Sequence, residues 1–284
     1  MIDNISKIEN SNSIGALFLN TGKISASDTE RIISLQKQKD MLFGDAAKAF
    51  GLINDDDIQE ALSHQFDFLF LTASENNFSP ELIAAYQPFC AQVEALRTVR
   101  EQLLLRWFTD TYNASLALIS LNHDEGCSRI AANLAIVFSQ IGKRTLLIDA
   151  NLRQPQQQIL FKLHGGYGLS DLLAGRADLT VINKISPLRN LSVLLAGSLT
   201  PNSVDLISRG LKSCLLQLQK QFDVILIDTP SADQGMDAQI IASLCHASLL
   251  VVQRHKTHLH NLQILKESLQ STGGQCLGAV LTDF

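Results

Sequence analysis

The chain has 284 residues, 46% of them apolar, with a formal net charge of −5. That is enough for one α/β domain plus a smaller one, and an acidic balance without any Lys/Arg-rich run argues against a nucleic-acid-binding role. The start, Met1-Ile2-Asp3-Asn4, lacks a secretory signal layout, no apolar run approaches the ~20 residues that span a bilayer, and the cysteines (Cys90, Cys127, Cys214, Cys245, Cys276) are spaced without pairing. A cytoplasmic protein is expected.

The first expected domain, residues 1–75, is helical and built from a repeat. Ile14-Gly15, Gly22, Ile24 and Gln36 recur 29 positions later as Phe43-Gly44, Gly51, Ile53 and Gln65. Each copy reads as a short helix carrying Leu17/Leu19 or Ala46/Ala47, a glycine C-cap, a tight turn and a second helix. Ser25 to Asp28 and Asn54 to Asp57 are the N-cap signals. Neither hairpin could bury its apolar face alone, so the two are expected to pack on each other. A connection over residues 76–92 follows, punctuated by Pro80 and Pro88, with Pro80 read as the first residue of a helix.

Residues 93–284 read as a third segment in which apolar strands alternate with helices. The strands are drawn at 115–120, 145–149, 191–195, 224–228, 248–253 and 277–281, the clearest helices at 130–141, 204–221 and 259–270. Continuous rather than alternating apolar strands indicate a sheet buried on both faces, hence a doubly wound parallel α/β sheet whose ligands lie beyond the strand C-termini.

The chemistry-bearing residues fall there. Between the first strand and its helix lies Leu121-Asn122-His123-Asp124-Glu125-Gly126-Cys127-Ser128-Arg129. A phosphate loop needs a Gly-rich turn, a Lys for the β/γ-phosphates, and a Ser/Thr hydroxyl for Mg²⁺ at a helix N-terminus. Gly126 and Ser128 satisfy that pattern, but Cys127 stands at the Lys position and Asp124 at the first Gly. Asp149-Ala150-Asn151-Leu152-Arg153 follows the second strand, and Val224-Ile225-Leu226-Ile227-Asp228-Thr229-Pro230 is an apolar strand ending in Asp.

In this order these stretches, with Ile130–Ala135, Gly168–Leu173 and Pro201-Asn202, resemble the bacterial tyrosine kinases (BY-kinases) over residues 92–284. Glu94, Arg97 and Arg100 match the Glu-x-x-Arg-x-x-Arg helix through which those kinases assemble into rings. The N-terminal repeat is similar to the N-terminal domain of type II secretion and pilus-extension ATPases, and the whole chain looks like the EpsG-type subgroup of chain-length-determinant tyrosine kinases. The resemblance implies ATP and Mg²⁺ as cofactors, with nucleotide contacts from Asp124, Glu125, Gly126, Cys127, Ser128 and Arg129. It further implies Mg²⁺ held by Ser128, Asp149 and Asp228, catalytic roles for Asp149 and Arg153, and homo-oligomerisation through Glu94, Arg97 and Arg100. The implied partner is a membrane chain-length-determinant protein of a polysaccharide export system, which could recruit the chain to the inner membrane.

The departures matter physically. A carboxylate ~4 Å from a phosphate oxygen costs about 4 kcal/mol at an effective dielectric of about 20, and each lost charge-assisted bond costs roughly 1.5–3 kcal/mol. Asn151 removes the second acid of the family's Asp-x-Asp pair. ATP binding is therefore expected to be weak or lost, with Arg129 or His123 as the nearby cations that could compensate. The tyrosines Tyr86, Tyr112 and Tyr167 are not clustered, and Tyr86 and Tyr112 read as packing residues. In the N-terminal repeat, Ser13 and Leu42 stand where cyclic di-GMP-binding relatives carry Arg, so protein docking is expected there instead of that ligand. His255, His258 and His260 suggest either a metal site or a solvated helix start with Thr257 as N-cap. A thiolate at Cys127 is favoured by the helix terminus and opposed by Asp124 and Glu125. Two functions remain: an ATP-dependent tyrosine kinase, or a catalytically inactive pseudokinase acting as a docking subunit.

Overall fold

The computed structural model describes residues 14–54, 57–58, 61, 78–109, 114–186, 188–200 and 202–283. Ser13, Gln65, Tyr112 and Pro201, on which parts of the sequence reading rest, lie outside the described residues. The chain divides into two compact units, 1–75 and 76–284. Among the described residues no helix is long and apolar enough to cross a membrane.

The first unit contains α1 (Ile14–Asn20), α2 (Ala26–Lys39) and α3 (Phe43–Ala49). Phe18, Ile32, Ala46 and Ala47 form its core. The repeated glycines have two separate causes. Gly22 and Gly51 adopt φ of 70° and 67° just past a helix, the left-handed conformation an L side chain resists. Gly15 and Gly44 make room for neighbours: a Cβ on Gly15 would sit 3.3 Å from the Phe43 ring, and one on Gly44 2.9 Å from Ile58 Cδ1. Both N-cap signals form reciprocal pairs. Asp28 N–H donates to Ser25 Oγ while Ser25 N–H donates to Asp28, and Asn54 and Asp57 repeat the exchange at 2.8 and 2.9 Å.

In the second unit, α4 (Ile83–Tyr86) and α5 (Ala91–Arg106) precede β1 (Ser115–Ser120) and α6 (Cys127–Gln140). After β2 (Thr145–Asp149) come the short helices α7 (Gln157–Leu160) and α8 (Leu169–Leu173), β3 (Asn183–Lys184) and β4 (Leu191–Leu194). The remainder is α9 (Ser203–Leu218), β5 (Val224–Asp228), α10 (Asp237–Cys245), β6 (Ala247–Gln253), α11 (Leu259–Ser271) and β7 (Gln275–Thr282). The seven strands run β3-β4-β2-β5-β1-β6-β7. All pairs are parallel except β3 with β4, a two-residue antiparallel addition too short to show as a strand pattern. Alternate side chains Ala117, Ile119, Leu146, Ile148, Ile225 and Ile227 pack with α9, α10 and α11. The intervening Leu116, Leu118, Leu147 and Leu226 are equally buried, and α6 lies against β1, β2, β4 and β5. Burial on both faces explains the unbroken apolar strands.

The described part of the 76–92 stretch packs within this second unit. Phe78 meets Phe161 edge-on at 5.5 Å, Ala84 N–H donates to Asn133 Oδ1, and the Tyr86 hydroxyl bonds the Phe78 backbone. Pro80 lies three residues before α4 rather than at its first position.

Candidate functional site

The β1–α6 turn is shaped by its own acid. Glu125 is buried: Oε2 accepts the Leu121 N–H at 2.9 Å, and Oε1 accepts Asn122 Nδ2 and Thr257 Oγ1, each at 2.6 Å. Sequence reasoning gave Glu125 only a backbone role, because no periodicity marks a side chain that folds back into its own loop. It also placed Thr257 as the N-cap of α11; that cap is His258, without a side-chain bond, while Thr257 reaches across to Glu125. Gly126 caps α6 with φ of 80°, and Asp124 adopts φ of 65°, a conformation in which a glycine would be unstrained.

Asp124 differs from the sequence expectation. Its side chain is 75% exposed and pairs with His123 Nδ1 at 2.7 Å, a hydrogen bond that raises the His123 pKa. Water screens such a carboxylate, so its repulsion toward a phosphate falls from the anticipated ~4 kcal/mol to about 1 kcal/mol or less.

Beneath the loop, Asp149 and Asp228 end adjacent strands as register partners, about one strand spacing apart, and both are fully buried. Asp149 accepts three backbone N–H bonds, from Asn151, Gln156 and Gln157. Asp228 Oδ2 accepts Gln157 Nε2 at 2.7 Å, and the Ser128 hydroxyl and Cys127 thiol face the same carboxylate. Its Oδ1 is buried without a bonding partner. Burial raises both acids above the ordinary carboxylate range, and for Asp149 the neighbouring Asp228 charge adds to that push. Gln157, unmarked in the sequence, bonds both acids, Asp149 through its backbone and Asp228 through its side chain.

Cys127 is buried, and its thiol is pushed well above the ordinary value, first by burial and then by Asp228. The helix terminus does not produce a thiolate there. Arg129 pairs with Glu81 at 3.3 Å, and Arg153 with buried Asp237 at 3.0 Å. Asn151 Oδ1 caps the following turn by accepting the Gln154 N–H. A pocket of about 340 Å³ opens over the loop, lined among others by Glu81, Asp124, Gly126, Cys127, Ser128 and Arg129. The oxygen donors Asp228 and Ser128, with Oδ1 unclaimed, fit a hard divalent cation. The helix terminus and Gly126 fit a phosphate, and among the described residues that line the pocket there is no lysine.

On α5, Glu94 is exposed and holds Arg97 Nη1 at 2.9 Å. Arg100 is buried, donating to the Val137 carbonyl of α6 at 2.9 Å and to Glu101. Within the described chain it ties two helices together. Among the described residues no three His, Cys, Asp or Glu side chains are arranged for a metal ion, the His255–His260 stretch included.

No family model matches the chain. It is 32% identical over 201 residues to the tyrosine-protein kinase YwqD of Bacillus subtilis (strain 168), covering 70% of this chain and 84% of that protein. It is also 32% identical over 191 residues to the putative tyrosine-protein kinase CapB of Staphylococcus aureus, covering 66% and 82% respectively. Among solved structures, the kinase domain of the Escherichia coli tyrosine kinase ETK superposes with a TM-score of 0.68 at 27% identity, over 71% of this chain and 79% of that one. With the nucleotide-fold topology and the paired strand-end aspartates, these similarities establish that the chain belongs to the bacterial tyrosine-protein kinases.

Proposed function

We propose that this protein is a tyrosine-kinase-fold regulator of exopolysaccharide chain length and export, cytoplasmic and working with a membrane chain-length-determinant partner. On this reading the isolated chain binds Mg-ATP weakly and does not phosphorylate itself, so it acts as a pseudokinase or docking subunit. One observation carries the reading: at the position of the family's lysine, a neutral buried thiol faces Asp228. The two arginines that the sequence assigns to the site, Arg129 and Arg153, are engaged by Glu81 and Asp237.

A bound nucleotide would rest on the backbone of Glu125–Ser128 and the α6 terminus, with Ser128 and Asp228 toward Mg²⁺ and Asp149 behind them. Mg²⁺ would neutralise phosphate charge, which Cys127 cannot do. Asp149 has both oxygens occupied by backbone N–H groups, which suits a positioning role for the strand end. The α5 motif Glu94, Arg97 and Arg100 is the proposed oligomer contact, with Glu94 exposed and Arg100 anchoring α5 to α6, and the N-terminal unit is the proposed protein-docking domain.

Calorimetric titration of the purified chain with Mg-ATP tests the nucleotide reading, alongside a phosphotyrosine assay. A low-micromolar dissociation constant, or autophosphorylation, would overturn it.

A further inference from the structure

Gln157 is fully buried at the start of α7, a helix of only four residues. Its backbone N–H donates to Asp149 Oδ2 at 2.9 Å, while its side-chain Nε2 bridges Asp228 Oδ2 at 2.7 Å and the Ser128 carbonyl at 3.1 Å. Both atoms facing the amide nitrogen are acceptors. The opposite amide orientation would set Gln157 Oε1 against two oxygens, so the N–H group faces the carboxylate. A buried carboxylate has to be compensated by a cation or by hydrogen-bond donors. In this site the compensation is neutral: an amide, with a hydroxyl and a thiol beside it.

We propose that the Gln157 amide, by claiming Asp228 Oδ2, competes with a divalent cation for that carboxylate and so sets how tightly the Ser128–Asp228 site holds one. A metal ion approaching the same carboxylate oxygen meets the positive end of the N–H dipole and a filled space. Removing the amide frees Asp228 Oδ2, so that both Asp228 oxygens and the Ser128 hydroxyl can serve as hard donors of the kind Mg²⁺ or Mn²⁺ takes, beside the Cys127 thiol. The N–H-to-Asp149 bond is made by the backbone, so any side chain at position 157 retains it. Gln157 is thus a positioning residue, acting through Asp228. The inference rests on the reading of the phosphate loop as one without an ammonium.

The test is Mn²⁺ binding to the full chain without nucleotide, followed by electron paramagnetic resonance, with circular dichroism to verify folding. Gln157→Ala should bind Mn²⁺ about 10-fold more tightly than wild type, the scale on which outer-shell partners tune metal affinity. Gln157→Glu, which preserves volume and replaces a donor by an acceptor, should gain at least as much and keeps the test available if Gln157→Ala fails to fold. Adding Asp228→Asn to either variant should abolish the gain. Mere loosening of the fold would not create a cation site that depends on Asp228. Wild-type affinity equal to or above that of both variants would make Gln157 a ligand or a bystander and overturn the proposal. Weak Mg-ATP binding combined with unchanged Mn²⁺ affinity would overturn the Gln157 role alone, leaving the nucleotide reading intact.

Discussion

Placing a lysine in the β1–α6 turn is the sharpest perturbation available. Cys127 opens α6 and faces Asp228, so Cys127→Lys starts an ammonium-bearing side chain from the helix terminus that borders the pocket. One or two charge-assisted bonds to phosphate oxygens contribute roughly 1.5–3 kcal/mol each. Asp124→Gly removes a carboxylate that is 75% exposed and paired with His123, which limits its share of the affinity to about 1 kcal/mol or less. Glycine also suits the φ of 65° at that position, an effect felt in stability rather than binding. The double variant should therefore gain at least ~2.7 kcal/mol, or ~100-fold in Mg-ATP affinity, mostly from the lysine, with Asp124→Gly alone giving about 5-fold or less. Calorimetry on the wild type, both single variants and the double variant measures each share. A 100-fold gain from Asp124→Gly alone, or none from the double variant, would refute the reasoning.

Other outcomes follow from the same geometry. Burial raises Asp149 to about 8 and Asp228 to about 6 from 3.8, so between those limits the folded pair holds protons that the unfolded chain has released. Its contribution to stability is full below about pH 4 and is lost as pH rises toward about 8; in chelator-containing buffer, thermal midpoints should fall from pH 5 to 8, and less steeply in Asp228→Asn. Arg100→Ala breaks a buried charged donor–carbonyl bond and should cost roughly 1.5–3 kcal/mol in denaturant unfolding, whereas exposed Glu94→Ala should leave stability within about 0.5 kcal/mol and change the sedimentation profile if it lies at a subunit contact. Cyclic di-GMP should not bind the chain at micromolar concentration; calorimetric detection of such binding would show that arginine at the Leu42 position is dispensable.

The sheet was legible because burial on both faces leaves continuous apolar runs: 115–120, 145–149 and 224–228 are strands with the expected bounds. Short elements were not. Gln157–Leu160, Leu169–Leu173 and Asn183–Lys184 hold too few residues for a period to emerge, and their places are set by distant contacts. The Gly168–Asp171 stretch illustrates this. A Cβ on Gly168 would collide with the Leu195 carbonyl oxygen, and Asp171 accepts bonds from Gly168, Ser198 and Arg176. In the site, strand-end acids could be read from the sequence, since each closes an apolar run. The partners of those acids could not: Gln157 meets Asp228 across 71 residues, and Thr257 meets Glu125 across 132.

The Glu125 clamp has a consequence for how such a chain can change over time. Where a turn owes its curvature to a bound phosphate, losing the ligand also loses the shape. Here the curvature is internal, fixed by a carboxylate that draws in the Leu121 N–H, Asn122 and a hydroxyl from beyond β6. Scaffold and chemistry are thereby uncoupled. A cysteine can therefore stand at the start of α6 while the neighbouring surfaces of the turn keep their places.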